Sequence, residues 1–358
     1  MAKDTLCKTE EILYNRSGRI RESERKENGV NEKILMGGAD LPLVWTEENL
    51  RAVGLNGKTV TKEEILASPA QYRDTRYLFS TWGMPRFEEQ EIRNCLPSLR
   101  AVFYAAGSVQ SFAAPFLDAG VAVFSARAAN AVPVAEYTVA QILLANKGFF
   151  RACRSLHTGT GWNAARALSN RYAGNYDATV GIVGCGMIGR MVAERLRDYR
   201  LRVLVYDAFL PEEAIHELGA EKVPLEELFA ASDAVSNHLA NVPATVGMLN
   251  GKLFASMKPY ATFLNTGRGA TVREDELIAV LTARPDLCAL LDVVDPEPPA
   301  PTSPLLSLPN VFLTPHISGS QQTECARMGA YMAEEFRAFD EGRETRFAVT
   351  REMLATMA

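Results

Sequence analysis

The chain has 358 residues, 47% hydrophobic and 23% charged, which fits about two globular domains and excludes a largely disordered, collagen-like or coiled-coil protein. Thirty-eight Lys and Arg against 43 Asp and Glu give a formal net charge of -5, so there is no overall basic field to grip nucleic acid. No apolar run reaches the roughly 18 to 20 residues that span a bilayer, and the N-terminus lacks the order of a signal peptide, so a cytoplasmic protein with no membrane partner is expected.

Residues 1–32 carry 14 charged side chains, seven of each sign, and no apolar period able to bury a face, which predicts a flexible or loosely docked extension. Order is expected from Glu32-Lys33-Ile34-Leu35-Met36 onward. Short apolar runs at Tyr77-Leu78-Phe79, Ala101-Val102-Phe103-Tyr104 and Val121-Ala122-Val123-Phe124 read as strands separated by helices or loops. From Pro133 to Phe149, apolar residues at Val134, Val139, Ile142, Leu143 and Phe149 follow a proline suited to a first helical turn, which predicts a long helix. An irregular stretch is expected from Gly159 to Gly174. Strands then recur near 179–183, 202–206, 233–237, 260–264 and 287–292, the pattern of parallel strands joined by right-handed crossovers. Met328, Met332, Phe336 and Phe339, in a segment that starts at Ser318-Gly319-Ser320, predict a long amphipathic helix. The cysteines (Cys7, Cys95, Cys153, Cys185, Cys288, Cys325) lie far apart with no CxxC pair, which fits neither a metal site nor a disulfide framework and reads as reduced thiols.

The strand Thr179 to Val183 runs directly into Gly184-Cys185-Gly186-Met187-Ile188-Gly189 and then into a helix-like segment. In that context Gly184 permits the tight turn, Gly186 the close approach of a pyrophosphate and Gly189 the packing of helix on strand. A second strand, Arg202 to Tyr206, ends at Asp207, where a carboxylate accepts hydrogen bonds from the ribose hydroxyls and repels a 2'-phosphate. With no adjacent Arg in Ala208-Phe209-Leu210, the expected cofactor is NAD rather than NADP.

Three later strand ends each present a polar group. They carry Arg268 between Gly267 and Gly269, Asp292 leading into Val293-Val294-Asp295-Pro296-Glu297, and His316 after Thr314-Pro315. Hydride transfer to a 2-oxo acid needs a cation for the carboxylate and a proton donor that titrates near neutrality. Arg268 suits the first role through its forked donors, and His316 the second, with Glu297 orienting its ring.

The segments GCGMIG, NTGRGATV, LLDVVDPEPP and LTPHISGS, in that order and spacing, resemble the cofactor and catalytic segments of the D-isomer-specific 2-hydroxyacid dehydrogenase family, and the match runs from Ala101 to about Phe339. The resemblance implies that Arg268 binds the substrate carboxylate, His316 exchanges the proton, Glu297 pairs with His316 and Asp292 meets the nicotinamide carboxamide. Met187, Ile188, His238 and Thr266 complete the positions expected against the cofactor. Ala106, Gly107 and Ser108 sit where the family's loop binds the substrate carboxylate through backbone N–H groups, with Gln110 replacing the usual Asp. Ser236 to Pro243 departs from the family's wording, so His238 reads equally as a structural residue. Trp82 and Met84 favour a substrate with some apolar surface, and the lack of clustered cations near Gly107 disfavours a phosphorylated one.

The fold implied is α/β, with two Rossmann-like domains built on doubly wound parallel sheets. An NAD-binding domain (132–318) is inserted into a discontinuous substrate domain (33–131 and 319–358). Asn130 to Glu136 resembles the family's hinge into the first interdomain helix. A homodimer is implied through the region of His157 and Trp162. The function implied is NAD-dependent interconversion of a D-2-hydroxy acid and its 2-oxo acid; a non-catalytic NAD(H)-binding regulator with the same fold is the alternative.

Overall fold

The computed structural model describes residues 31–357. The predicted extension lies, up to residue 30, outside the described residues, as does Cys7. Asn31 and Glu32 are tied down: Thr75 Oγ1 donates to the Asn31 carbonyl at 2.7 Å, and Arg76 pairs with Glu32 at 2.9 Å. The chain falls into two compact units. One holds the residues up to Ala126 together with Gly329–Arg351, and the other holds Arg127–Met328 with the residues from Glu352 on.

In the first unit, β1 (Lys33–Met36), β2 (Tyr77–Ser80), β3 (Ala101–Tyr104) and β4 (Ala122–Ser125) lie side by side and parallel. The second unit is built on β5 (Thr179–Val183), β6 (Arg202–Tyr206), β7 (Glu221–Lys222), β8 (Ala234–Asn237), β9 (Thr262–Asn265), β10 (Cys288–Leu291) and β11 (Val311–Leu313). Its sheet order is β11-β10-β9-β8-β5-β6-β7, parallel throughout, and the order reverses between β5 and β8. A final strand, β12 (Ala348–Val349), returns antiparallel to β4 on the first sheet.

Most strands are short apolar runs buried along their whole length, as parallel strands covered on both faces must be. In the first unit the core is aromatic: Phe103 stacks on Phe124 at 5.0 Å, and Phe336 meets Phe79 and Phe103 edge-on at 5.3 and 5.6 Å. In the second unit Gly181 of β5 lets a helix close on the sheet, because a Cβ there would lie 2.4 Å from Leu228 Cδ2.

The helices depart from the sequence pattern at three places. The helix predicted from Pro133 begins earlier, at Arg127, and ends at Ala145, before a left-handed Gly148 opens a new helix, Phe149–His157. Pro133 is tolerated inside it because the carbonyl left without its N–H partner, that of Ala129, accepts from Arg327 Nη2 at 2.8 Å. The stretch expected to be irregular holds a helix, Trp162–Ser169, after Gly159 and Gly161 turn the chain at φ values of 83° and 90°. Its Ala-, Leu- and Arg-containing sequence outweighs the flanking glycine signal. The tail helix runs from Thr323 to Asp340 rather than from Ser318, because Ser318 N–H donates to Asp292 and Ser320 N–H to Asn130.

Among the described residues no helix is long and apolar enough to cross a membrane, and no cluster of three or more His, Cys, Asp or Glu could hold a metal ion. Cys95, Cys153, Cys185, Cys288 and Cys325 form no disulfide with one another.

Candidate active site

In a parallel sheet whose strand order reverses, the crevice lies beyond the carboxyl ends of the strands at the reversal, here β5 and β8. β5 ends in Gly184, which turns at φ 86°; a Cβ there would press on the His238 backbone at 3.1 Å. Gly189, one turn into the helix Met187–Leu196, has a harder constraint, since its Cβ would sit 2.1 Å from the Gly184 carbonyl oxygen. Gly186 differs from both: a Cβ there would meet nothing within 4 Å. The turn therefore leaves open space beside a helix start that no side chain caps, whose N–H groups and partial positive charge suit a pyrophosphate. Met187 is exposed at that start, while Ile188 packs against the unit's core.

Asp207 follows β6 and is half-buried. Its Oδ2 accepts from Cys185 N–H at 2.8 Å, and its Oδ1 accepts from Phe209 and Leu210 N–H at 2.9 Å each. The carboxylate thus fastens the dinucleotide turn to the end of β6 and keeps one acceptor direction for a hydroxyl. His238 follows β8, with Nε2 2.9 Å from Ser236 Oγ and Nδ1 shielded from solvent without a protein partner. Burial lowers its pKa to about 4, so the ring is neutral at physiological pH. The open turn, the uncapped helix start, the spare acceptor of Asp207 and the unpartnered His238 nitrogen fit a dinucleotide.

β9 leads to Thr266, which is buried and hydrogen-bonded to Thr138 at 3.0 Å, and to Arg268. The Arg268 carbonyl accepts from Thr271 Oγ1 at 2.7 Å and Asn265 Nδ2 at 3.2 Å, and Asn265 Oδ1 accepts from Asn237 Nδ2 and Gly267 N–H. The main chain of Arg268 is thereby fixed. Burial lowers the pKa of its guanidinium from the ordinary value, and the negative charge of Glu297 partly restores it. Gly269 explains how Glu297 comes near: its missing Cβ would overlap the Val294 backbone at 2.1 Å, so the loop after β10 lies directly on the Arg268 turn.

β10 ends at Asp292, which is buried at 3% exposure. Its oxygens accept from Thr314 Oγ1 at 2.6 Å and from the N–H groups of Ile317 and Ser318 at 2.9 Å each. The carboxylate clasps the loop that carries His316 and keeps room for one more donor. His316 itself adopts φ 53°, a strained value for a side chain of this size, held by its N–H bonding the Asp292 and Thr314 carbonyls at 3.0 Å. Its Nδ1 lies 2.7 Å from Glu297 Oε1, and both side chains remain nearly half exposed.

The structure therefore brings together Arg268, Glu297, His316 and Asp292, and separately Gly184, Gly186, Gly189, Asp207 and His238. Ala106, Gly107 and Ser108 belong to the other unit, beyond β3, where Ser125 Oγ bonds the carbonyls of Ala106 at 3.1 Å and Gly107 at 2.6 Å. In the same unit Gly38 N–H donates to the Trp82 carbonyl at 2.7 Å, which joins the loops after β1 and β2. Asn237, Asn265, Thr271 and Thr314 were not singled out from the sequence. Their signal, a polar residue inside or just beyond an apolar strand, is visible but gives no partner.

Residues 139–318 match the family model described as "D-isomer specific 2-hydroxyacid dehydrogenase, NAD binding domain". A D-3-phosphoglycerate dehydrogenase of Archaeoglobus fulgidus is 32% identical over 230 residues, covering 64% of this chain and 43% of its own length. A glyoxylate reductase of Korarchaeum cryptofilum is 33% identical over 258 residues, covering 71% of this chain and 77% of its own. A solved structure of the holo forms of Rhodotorula graminis D-mandelate dehydrogenase superposes with a TM-score of 0.75 at 22% identity, over 89% of this chain and 98% of that one. The chain matches well under half the length of the phosphoglycerate dehydrogenase, 43%. The fold, the dinucleotide turn and the matched NAD binding domain converge: the chain belongs to the D-isomer specific 2-hydroxyacid dehydrogenase family.

Proposed function

We propose that the protein is an NAD-dependent dehydrogenase that interconverts a D-2-hydroxy acid and its 2-oxo acid. The observation that carries this reading is the bond between His316 Nδ1 and Glu297 Oε1, with Glu297 on the loop that lies on the Arg268 turn. When bound, the nicotinamide cofactor supplies or takes up the hydride. Arg268 holds the substrate carboxylate through its forked donors. His316, with Nδ1 engaged by Glu297, has Nε2 to give a proton to the developing alkoxide, or to take it in the reverse direction. Asp292 keeps the His316 loop in place and offers its remaining acceptor to the carboxamide.

The proposed substrate is an unphosphorylated acid of modest size. Ala106-Gly107-Ser108-Val109-Gln110 carries no cation for a phosphate, and Trp82-Gly83-Met84 offers apolar surface. The proposed assembly is a homodimer formed through Phe149–His157 and Trp162–Ser169. These helices leave Phe149 45% exposed, and Trp162 71% exposed beside a cleft of about 290 Å³. Five described cysteines with no disulfide among them suit a reducing cytosol.

The test is loss of NADH absorbance, with NADPH in parallel, against glyoxylate, hydroxypyruvate, pyruvate, oxaloacetate, branched 2-oxo acids and phenylpyruvate. Turnover with NADH that His316→Ala abolishes establishes the reading. Tight NADH binding with no turnover of any acid would instead make the chain a non-catalytic NAD(H)-binding regulator.

A further inference from the structure

Two consecutive residues of the helix Arg127–Ala145 each touch a different loop of the site. The Tyr137 hydroxyl lies 3.0 Å from Thr314 Oγ1, two residues before His316, and Thr138 Oγ1 lies 3.0 Å from Thr266 Oγ1, two residues before Arg268. Neighbouring helical positions point about 100° apart, so one helix can reach the ends of two strands, β9 and β11, that flank β10. We propose that Tyr137 and Thr138 are positioning residues that set, from one helix, the His316 loop and the Arg268 loop respectively.

The direction of the Tyr137 bond follows from counting protons. Thr314 has one hydroxyl proton, and its 2.6 Å contact with Asp292 Oδ1 uses it, because a carboxylate only accepts. Tyr137 is then the donor to Thr314. Burial, the largest influence on this phenol, raises its pKa above the ordinary value and keeps it protonated for that task. From Thr314 the connection continues through Asp292 to the N–H groups of Ile317 and Ser318, so three side-chain-mediated anchors of the His316 loop meet at one carboxylate. Removing the Tyr137 donor leaves Thr314 Oγ1 with its Asp292 bond alone and loosens the orientation of the Thr314–Asp292 pair.

Thr138 acts on the other loop. Both hydroxyls of the Thr138–Thr266 pair are buried, at 0% and 5% exposure, and a buried hydroxyl without a partner is costly. A valine at 138 keeps the shape and removes the bond, so the turn leading to Arg268 loses one fixed point. Neither residue is placed against the reacting atoms; each works through a neighbour.

This inference rests on the dehydrogenase reading for its kinetic consequence, and the experiment separates the two. Steady-state kinetics on the intact protein, with whichever 2-oxo acid it turns over, should split the variants. Tyr137→Phe should lower kcat about tenfold with KM for the acid within about twofold, and Thr138→Val should raise that KM about tenfold with kcat nearly kept. Thr138→Ser should restore the parent values. In parallel, hydrogen exchange read by mass spectrometry should quicken in peptide 314–320 for Tyr137→Phe and in peptide 266–270 for Thr138→Val. Variants that match the parent in both kinetics and exchange, or that lower kcat and raise KM without distinction, overturn the proposal. If the parent turns over no acid, the dehydrogenase reading fails on its own, and exchange decides the positioning: localised quickening supports it, and unchanged or global exchange overturns it.

Discussion

His316 and Glu297 stand 19 residues apart in the chain and meet through Nδ1 and Oε1 at 2.7 Å. The pairing commits one ring nitrogen to orientation and leaves the other for proton exchange. Glu297→Gln keeps an acceptor oxygen and removes the charge. It should lower kcat about 10- to 100-fold with NADH affinity nearly unchanged, and His316→Ala should lower it further. Steady-state rates with a fluorescence titration of NADH check this, and parent-like turnover in Glu297→Gln would take Glu297 out of the acid–base pair.

The glycines of the dinucleotide turn predict opposite failures. Gly189→Ala drives a Cβ into the Gly184 carbonyl at 2.1 Å, a contact that forces the helix off the strand. A loss of about 2 to 4 kcal/mol in stability is expected, read by urea unfolding. Gly186→Ala meets no protein atom within 4 Å at an ordinary φ of -68°, so stability should be kept. What it should lose is NADH binding, because the methyl enters the open space beside the helix start. Unaltered binding in Gly186→Ala would put the pyrophosphate elsewhere.

Burial of His238 lowers its pKa from the ordinary 6.5 to about 4. The unfolded chain therefore takes up this proton first. The contribution to stability is full above about pH 6.5 and lost as pH falls toward 4. Between pH 7 and pH 5 the parent should lose on the order of 2 kcal/mol more than His238→Gln, which has no such proton to bind. Urea unfolding at the two pH values is the measurement. Equal losses in both proteins would mean that the folded state takes up this proton as readily as the unfolded chain does.

Trp162, 71% exposed next to Leu156 and Ala152, is the most prominent apolar group on its face. A charge there should prevent association, so Trp162→Glu is expected to sediment as a monomer while keeping its fold, and the parent as a dimer. A monomeric parent in analytical ultracentrifugation would discard the proposed assembly.

Much of this was legible in the sequence because parallel strands buried on both faces read as continuous apolar runs. β5 and β6 fall at the expected residues, and β8, β9 and β10 within two residues of their expected ends. The glycine turn was legible because Gly184 and Gly189 each answer a backbone need that no other residue meets, with Gly186 at the open position between them. Helix limits were less so: the early start at Arg127 depends on Arg327, some 200 residues away, bonding the carbonyl that Pro133 leaves open. The same distance hides Tyr137, Thr138, Asn237 and Thr271, whose long-range partners lie 28 to 177 residues along the chain. A local pattern marks such residues as polar and cannot say what they bond.

The aromatic core of the first unit carries a temporal consequence. Phe336, which packs edge-on against Phe79 and Phe103, and Phe339, edge-on to Phe124, are made only after the whole of Arg127–Met328. During synthesis β1 to β4 leave the ribosome first, yet their sheet lacks these rings and the antiparallel edge strand β12. The second unit, translated between the two parts, can close its own core while the first still waits. Domains ordinarily mature in the order in which they are translated. Here the unit that begins first finishes last, with an incomplete sheet that needs shielding from aggregation until Phe336 and Phe339 arrive.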